Sequence, residues 1–170
     1  GGNYDTRYDV SILVNGLPLV HIELKRRGVQ LKEAFNQINR YQRDSFWAGC
    51  GLYEYVQIFV ISNGTNTKYY SNTTRANHLK EQETGGSNNK VITDLLDFTK
   101  TFFSKHTLLN ILTKYCVFTS EKMLMVMRPY QIAATERIIQ RINVANNYKF
   151  YDSIKGGGYI WHTTGSGKTL

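Results

Sequence analysis

With only two cysteines in 170 residues, Cys50 and Cys116, the chain cannot rest on a disulfide framework. The pair stands far apart, with no Cys-x-x-Cys spacing and no partnering histidine cluster. That argues against zinc and for buried, reduced thiols in a cytoplasmic protein. No apolar run approaches the ~20 residues of a membrane-spanning helix, no secretory signal opens the chain, and there is no internal repeat. Acidic residues are scarce as well: 13 Asp and Glu against 21 Lys and Arg leave a net charge of +8. With a pI near 9.5 and the charge spread along the chain, a polyanionic partner fits. At 41% apolar residues the chain can bury one real core, with length to spare. Both ends read as internal. Gly1-Gly2 begins in mid-structure and Leu170 ends in mid-motif, so the expectation is a fragment of something larger.

Residues 8–14 (YDVSILV) alternate and then turn apolar, predicting a strand. Asn15-Gly16 is the strongest two-residue hairpin signal, and Pro18 after it should block immediate ladder pairing. Residues 19–25 (LVHIELK) form the return strand. Leu31, Ala34, Phe35, Ile38, Tyr41 and Gln42 recur at helical spacing, predicting an amphipathic helix over about 30–46. A buried strand at 56–62, closed by Asn63-Gly64, and an edge strand at 68–71 follow. Residues 75–90 are polar and glycine-rich, a loop. Two helices fit 91–115. Residues 123–127 are a short apolar stretch, and Pro129, a favoured first helical residue, opens a helix to about 144. Residues 158–161 (GYIW) read as a short strand.

Three groups of residues carry chemistry. The first follows that last strand: His162-Thr163-Thr164-Gly165-Ser166-Gly167-Lys168-Thr169 has the order of a phosphate-binding loop. Glycines let backbone N–H groups close on phosphate oxygens, Lys168 reaches the β/γ-phosphates, and Thr169 can hold Mg²⁺. His162 replaces the first glycine of the looser pattern, as the TxGxGKT loops of helicase-like motors allow. In the second group, Asp9 sits early in the first strand, and Glu23 and Lys25 lie two apart near the end of the second, hence on one face. The hairpin folds Asp9 back beside them. Two carboxylates converging there can bind a hard divalent cation through oxygen, with Lys25 positioning an attacking water. A solvent-face ion pair is the open alternative. In the third, Arg128-Pro-Tyr-Gln131 opens a helix ahead of the phosphate loop. A glutamine amide there can donate to and accept from the adenine edge, or the tetrapeptide is simply a helix start. Among the rest, His21 and His162 lie on apolar strands and read as core or near-site residues. Arg26 and Arg27 are candidate DNA-backbone contacts or plain solvated charges, and Arg40 and Arg43, at the end of the helix, are candidate contacts to DNA or to a neighbouring domain.

Asp9, the turn, Glu23-Leu24-Lys25 in an apolar strand and the helix after it resemble the PD-(D/E)xK nuclease core, with Tyr8 in place of the usual proline. Gln37 and Tyr41, four apart on one helix face, match the QxxxY motif of its RecB-like branch. Arg128 to Gln131 looks like the Gln motif of superfamily 2 helicases. Together these resemble the R (restriction and motor) subunit of type I restriction–modification enzymes, the HsdR family, across essentially the whole chain.

The resemblance implies an α/β fold, in which a mixed sheet flanked by helices is joined to the first elements of a RecA-like domain. It divides into a nuclease domain at 1–115, a connector at 116–127 and a truncated motor from 128 to 170. It implies Mg²⁺ on Asp9 and Glu23, catalytic assistance from Lys25, and support or DNA contact from Gln37 and Tyr41. ATP would be held by Gln131 and by Thr164, Gly165, Ser166, Gly167, Lys168 and Thr169. The implied partners are double-stranded DNA and modification and specificity subunits that bind S-adenosylmethionine. The activity implied is ATP-driven translocation with endonucleolytic cleavage, in the cytoplasm. Two alternatives stay open: a nuclease–helicase fusion of another class, type III or RecB-like repair, and an ATP-dependent remodeller whose first domain only binds DNA.

Overall fold

The computed structural model describes residues 8–42, 51–73, 92–121 and 123–162. Cys50, the loop at 75–90, the end of the 30–46 helix and the phosphate loop from Thr163 to Leu170 lie outside the described residues. The chain forms two compact units that meet in sequence at Met127 and Arg128.

The first unit is built on a four-stranded sheet, ordered β1 (Val10–Val14), β2 (Leu17–Leu24), β3 (Ile58–Ser62) and β4 (Thr67–Ser71). Asn15 and Gly16 both take positive φ, +50° and +82°, as the tight hairpin turn between β1 and β2 demands. Pro18 behaves differently from expectation. Pairing begins at once, with Leu17 opposite Val14 and Pro18 opposite Leu13, and the ladder shifts only between Ile12 and Leu13. Pro18 is tolerated because β3 first pairs with β2 at Val20, so no neighbour on that side needs its missing N–H. β2 and β3 run parallel, joined through α1 (Leu31–Tyr41), while β3 and β4 run antiparallel.

All five residues of β3 are buried, as a strand covered on both faces requires. On one face, Ala34, Phe35, Ile38 and Tyr41 of α1 pack with Phe59, Ile61 and Tyr70. α1 starts without a side-chain cap, so this buried face sustains it, helped by Glu33 in the first turn and Arg40 in the last. On the other face, Tyr69 meets Phe98 and Phe102 of α2 (Leu95–Phe102). Asp94 caps that helix by accepting from the amides of Leu96 and Asp97. α3 (Lys105–Lys114) follows.

The connector expected at 116–127 is instead a β-hairpin of this unit, β5 (Cys116–Phe118) against β6 (Leu124–Val126). The Tyr69 hydroxyl donates to the Met127 carbonyl at 2.9 Å, tying the hairpin to the sheet.

In the second unit, α4 (Pro129–Asn147) carries proline in its first turn. A single 3₁₀ turn (Ile154–Gly156) packs back on it, and Gly156 approaches the Phe150 carbonyl too closely for any Cβ. The strand expected at 158–161 does not form. A strand exists through its ladder, and among the described residues nothing pairs with this segment, leaving Tyr159 and Trp161 about nine-tenths exposed. None of the described helices is long and apolar enough to cross a membrane.

Candidate active site

The β1–β2 register sets Val10 opposite Ile22, which brings Asp9, the residue just before β1, level with the end of β2. The Asp9 carboxylate accepts the Leu24 amide at 2.8 Å. Glu23 lies on the α1-covered face and is fully buried. Just past β2, the Lys25 amide extends the parallel ladder by donating to the Ser62 carbonyl, and its side chain turns back over the same face. The Lys25 ammonium donates to Glu23 Oε1 at 2.8 Å and to the Gln37 amide oxygen. Gln37 in turn donates through Nε2 to the Tyr41 hydroxyl. The alternation of β2 and the four-residue step of α1 thus turn four separated residues, Glu23, Lys25, Gln37 and Tyr41, into one cluster, with Asp9 held at its edge by the Leu24 amide. With Glu23 buried under a helix, Glu23 and Lys25 are not a solvent-face ion pair, whereas Asp9 is exposed. Gln37 stands closer to the chemistry than its place on another element implies, in direct contact with Lys25.

Glu23 Oε2 has no hydrogen-bond partner among the described residues and lies 3.8 Å from His21 Nε2. His21 is fully buried, with Nδ1 3.3 Å from the Ser11 hydroxyl. The rings of Tyr8, Tyr41, Tyr53 and Phe59 stand edge-on around its imidazole. Tyr8, the residue in the place of the usual proline, stacks its edge on Tyr41 at 5.1 Å and thereby braces the QxxxY tyrosine. Sequence reading missed Tyr8, Tyr53 and Tyr70 as neighbours of the site; alternation along β4 was the only signal for Tyr70. Burial first, and then the Glu23 charge, push the Tyr70 phenol well above the ordinary tyrosine range. Its proton is therefore fixed beside the carboxylate.

Among the described residues no three His, Cys, Asp or Glu gather into a metal cage. Two carboxylates do suit Mg²⁺, which commonly takes one or two from the protein and fills the rest with water and substrate phosphate. The buried, unpartnered Glu23 oxygen fits such an ion.

Elsewhere, Gln131 is one turn into α4, and its amide oxygen accepts the Arg128 backbone N–H at 2.8 Å. This closes the helix start and occupies one lone pair of the amide oxygen, the acceptor that an adenine reader would use. The Arg128 guanidinium donates to the Tyr130 hydroxyl, and His162 stands edge-on to Tyr130. Thr164, Gly165, Ser166, Gly167, Lys168 and Thr169 lie outside the described residues.

These features define a mixed α/β protein with a carboxylate–lysine–amide cluster at a strand end. Residues 2–78 match the family model described as the N terminus of the type I restriction enzyme R protein, and residues 130–170 match that of the SWI2/SNF2 ATPase. In its amino-terminal region the chain is thus similar to the type I restriction enzyme R proteins. It is 58% identical over 144 residues to the EcoprrI type I restriction enzyme endonuclease subunit of Escherichia coli, covering 83% of this chain and 46% of that protein. It is 43% identical to the SauCOLORF180P endonuclease subunit of Staphylococcus aureus strain COL, over 98% of this chain and 17% of that protein. Similarity reaches a putative subunit of Methanocaldococcus jannaschii, 31% identical over 99% of this chain and 16% of that protein. The chain thus spans less than half the length of these relatives.

Proposed function

We propose that this chain is the nuclease portion and the start of the ATPase of a type I restriction enzyme R subunit, cutting double-stranded DNA. The observation that carries the proposal is the continuous hydrogen-bonded path from Glu23 through Lys25 and Gln37 to Tyr41, with Asp9 beside it. Asp9 and Glu23 would hold Mg²⁺, whose part is to lower the pKa of a bound water and neutralise charge on the phosphodiester. Lys25 is fixed by two acceptors on one side and one-fifth exposed, placing a positive charge at the mouth of the site. There it orients the attacking water and stabilises the charge that develops on phosphorus. Gln37 holds the ammonium in place, Tyr41 holds Gln37, and the aromatic wall keeps bulk water out behind them.

In this reading residues 1–115 and the hairpin at 116–127 form the PD-(D/E)xK-type nuclease domain. Residues 128–170 open a RecA-like motor. Gln131 would contact adenine, and Thr164–Thr169 would hold the phosphates of ATP; the ATPase match over 130–170 supports this. ATP-driven translocation, cytoplasmic residence, and assembly with modification and specificity subunits that use S-adenosylmethionine follow from the family. The test is to make Glu23→Ala and Lys25→Ala in the full-length subunit and assay cleavage and ATP hydrolysis separately. Loss of cutting with ATP hydrolysis intact is expected; cutting at the wild-type rate would refute the assignment.

A further inference from the structure

Next to the cluster opens a groove of about 650 Å³, bounded on one side by Lys25 and Arg26 and on the other by Glu33, Asn36, Gln37 and Arg40 of α1. Asn36 and Gln37 each stand three or four residues from both Glu33 and Arg40, so the four form a single wall. Its charge changes sign along the axis, from the Glu33 carboxylate at one end to the Arg40 guanidinium at the other. The Lys25 ammonium is already committed to Glu23 and Gln37. Arg26 and Arg40 are exposed, and their guanidiniums have no hydrogen bond or ion pair among the described residues. Two guanidiniums unengaged among the described residues and facing one groove suit an anion with several acceptor oxygens.

The neighbouring arginine is built differently. Arg27 lies over the β3–β4 turn, where a Cβ placed on Gly64 would stand 3.5 Å from its Cγ and Nε. The loop carrying both arginines is held by Asn63, whose amide donates to the Val29 carbonyl at 2.8 Å.

We propose that Arg26 and Arg40 are the two jaws of a phosphate clamp that seats the backbone of duplex DNA in this groove, and that Arg27 has no share in it. The clamp gives the nuclease reading its substrate track and rests on that reading for its purpose, but its binding needs no metal. The test is therefore run with EDTA. This chain is titrated with a fluorescent duplex oligonucleotide between about 50 and 200 mM salt, the range over which phosphate contacts weaken measurably. Arg26→Ala and Arg40→Ala should each weaken binding and each flatten the slope of log K against log salt by about 0.9. The double variant should flatten it by about 1.8, whatever the oligonucleotide sequence. Arg27→Ala should leave the slope unchanged, and Glu33→Gln should tighten binding slightly. Unchanged slopes in both jaw variants, or equal flattening by Arg27→Ala, would overturn the clamp. Binding that behaves as described in a protein that never cuts would leave the clamp standing and remove the nuclease reading alone.

Discussion

α1 and α4 both carry motif glutamines, yet they sit in opposite surroundings. α1 buries Ala34, Phe35, Ile38 and Tyr41 against the sheet, and its Gln37 is locked between Lys25 and Tyr41. α4 buries none of its 19 residues, and Ile138, Ile139 and Ile142 are each 41–52% exposed. The first unit is thus preorganised: the side chains of the proposed site are held in place by their neighbours. In the second unit the described contacts of α4 include the helix start closed by Gln131 and the 3₁₀ turn that packs back on the helix. A motif is a set of side chains, and whether it is a site depends on what immobilises them.

The sharpest way to press this contrast is to disable each unit in turn in the full-length protein. Glu23→Ala should depress DNA cleavage by roughly 100–1000-fold or more, the scale on which loss of a transition-state contact acts, while ATP turnover persists. Lys168→Ala should give the reverse, abolishing ATP turnover by removing the phosphate-binding ammonium, without altering duplex binding in the groove of the first unit. Parallel cleavage and ATPase assays separate the outcomes; joint loss in either variant would mean the units do not act as separate parts.

Next in size are the supports. Gln37→Ala and Tyr41→Phe should lower cleavage by roughly 10–100-fold, as residues one contact removed from the reacting groups commonly do. Gln37→Ala should be the more severe, since it frees the Lys25 ammonium directly. Equal, unchanged rates would reduce the pair to helix-face residues.

The same logic divides the two duties of Gln131. Gln131→Ala removes the acceptor that closes α4 and should cost about 0.5–1 kcal/mol in a denaturant titration, along with ATP affinity. Gln131→Glu keeps an acceptor for the Arg128 amide but loses the donor that adenine needs. Stability should hold while ATP binding, followed with a fluorescent nucleotide, weakens. Retained ATP affinity in Gln131→Glu would leave this glutamine a cap and nothing more.

The smallest effect concerns Cys116. Burial pushes its thiol up to about 11, so little thiolate exists at pH 8 and iodoacetamide should label it far more slowly than a free thiol. A folded-state pKa raised above the unfolded value also means that the folded form holds its proton longer. Stability should therefore fall as pH rises from about 9 toward 11, and Cys116→Ala should flatten that fall in urea midpoints.

Much of the first unit was legible. Asn15-Gly16 announces a hairpin because few other pairs accept positive φ at both positions. The spacing of Ala34, Phe35, Ile38 and Tyr41 can satisfy only a helix with one buried face. Glu23 and Lys25 were legible as neighbours because strand alternation is rigid, and the turn carries Asp9 to them. Elements that exist only through distant partners were not legible. β5 is three residues long and owes its form to β6, and residues 158–161 have strand composition without a strand beside them. Nor could spacing reveal that Gln37 reaches Lys25, or that Tyr8 braces Tyr41, since both depend on how α1 settles on the sheet.

The whole cluster is drawn from residues 9–41, and the sheet that buries it is complete by Ser71. Amino-terminal units fold as they leave the ribosome, at about 5–20 residues per second. All of the proposed cutting residues thus leave the ribosome ahead of the helix that opens the proposed motor, while the unit that packs them is finished only at Met127, just before α4 begins.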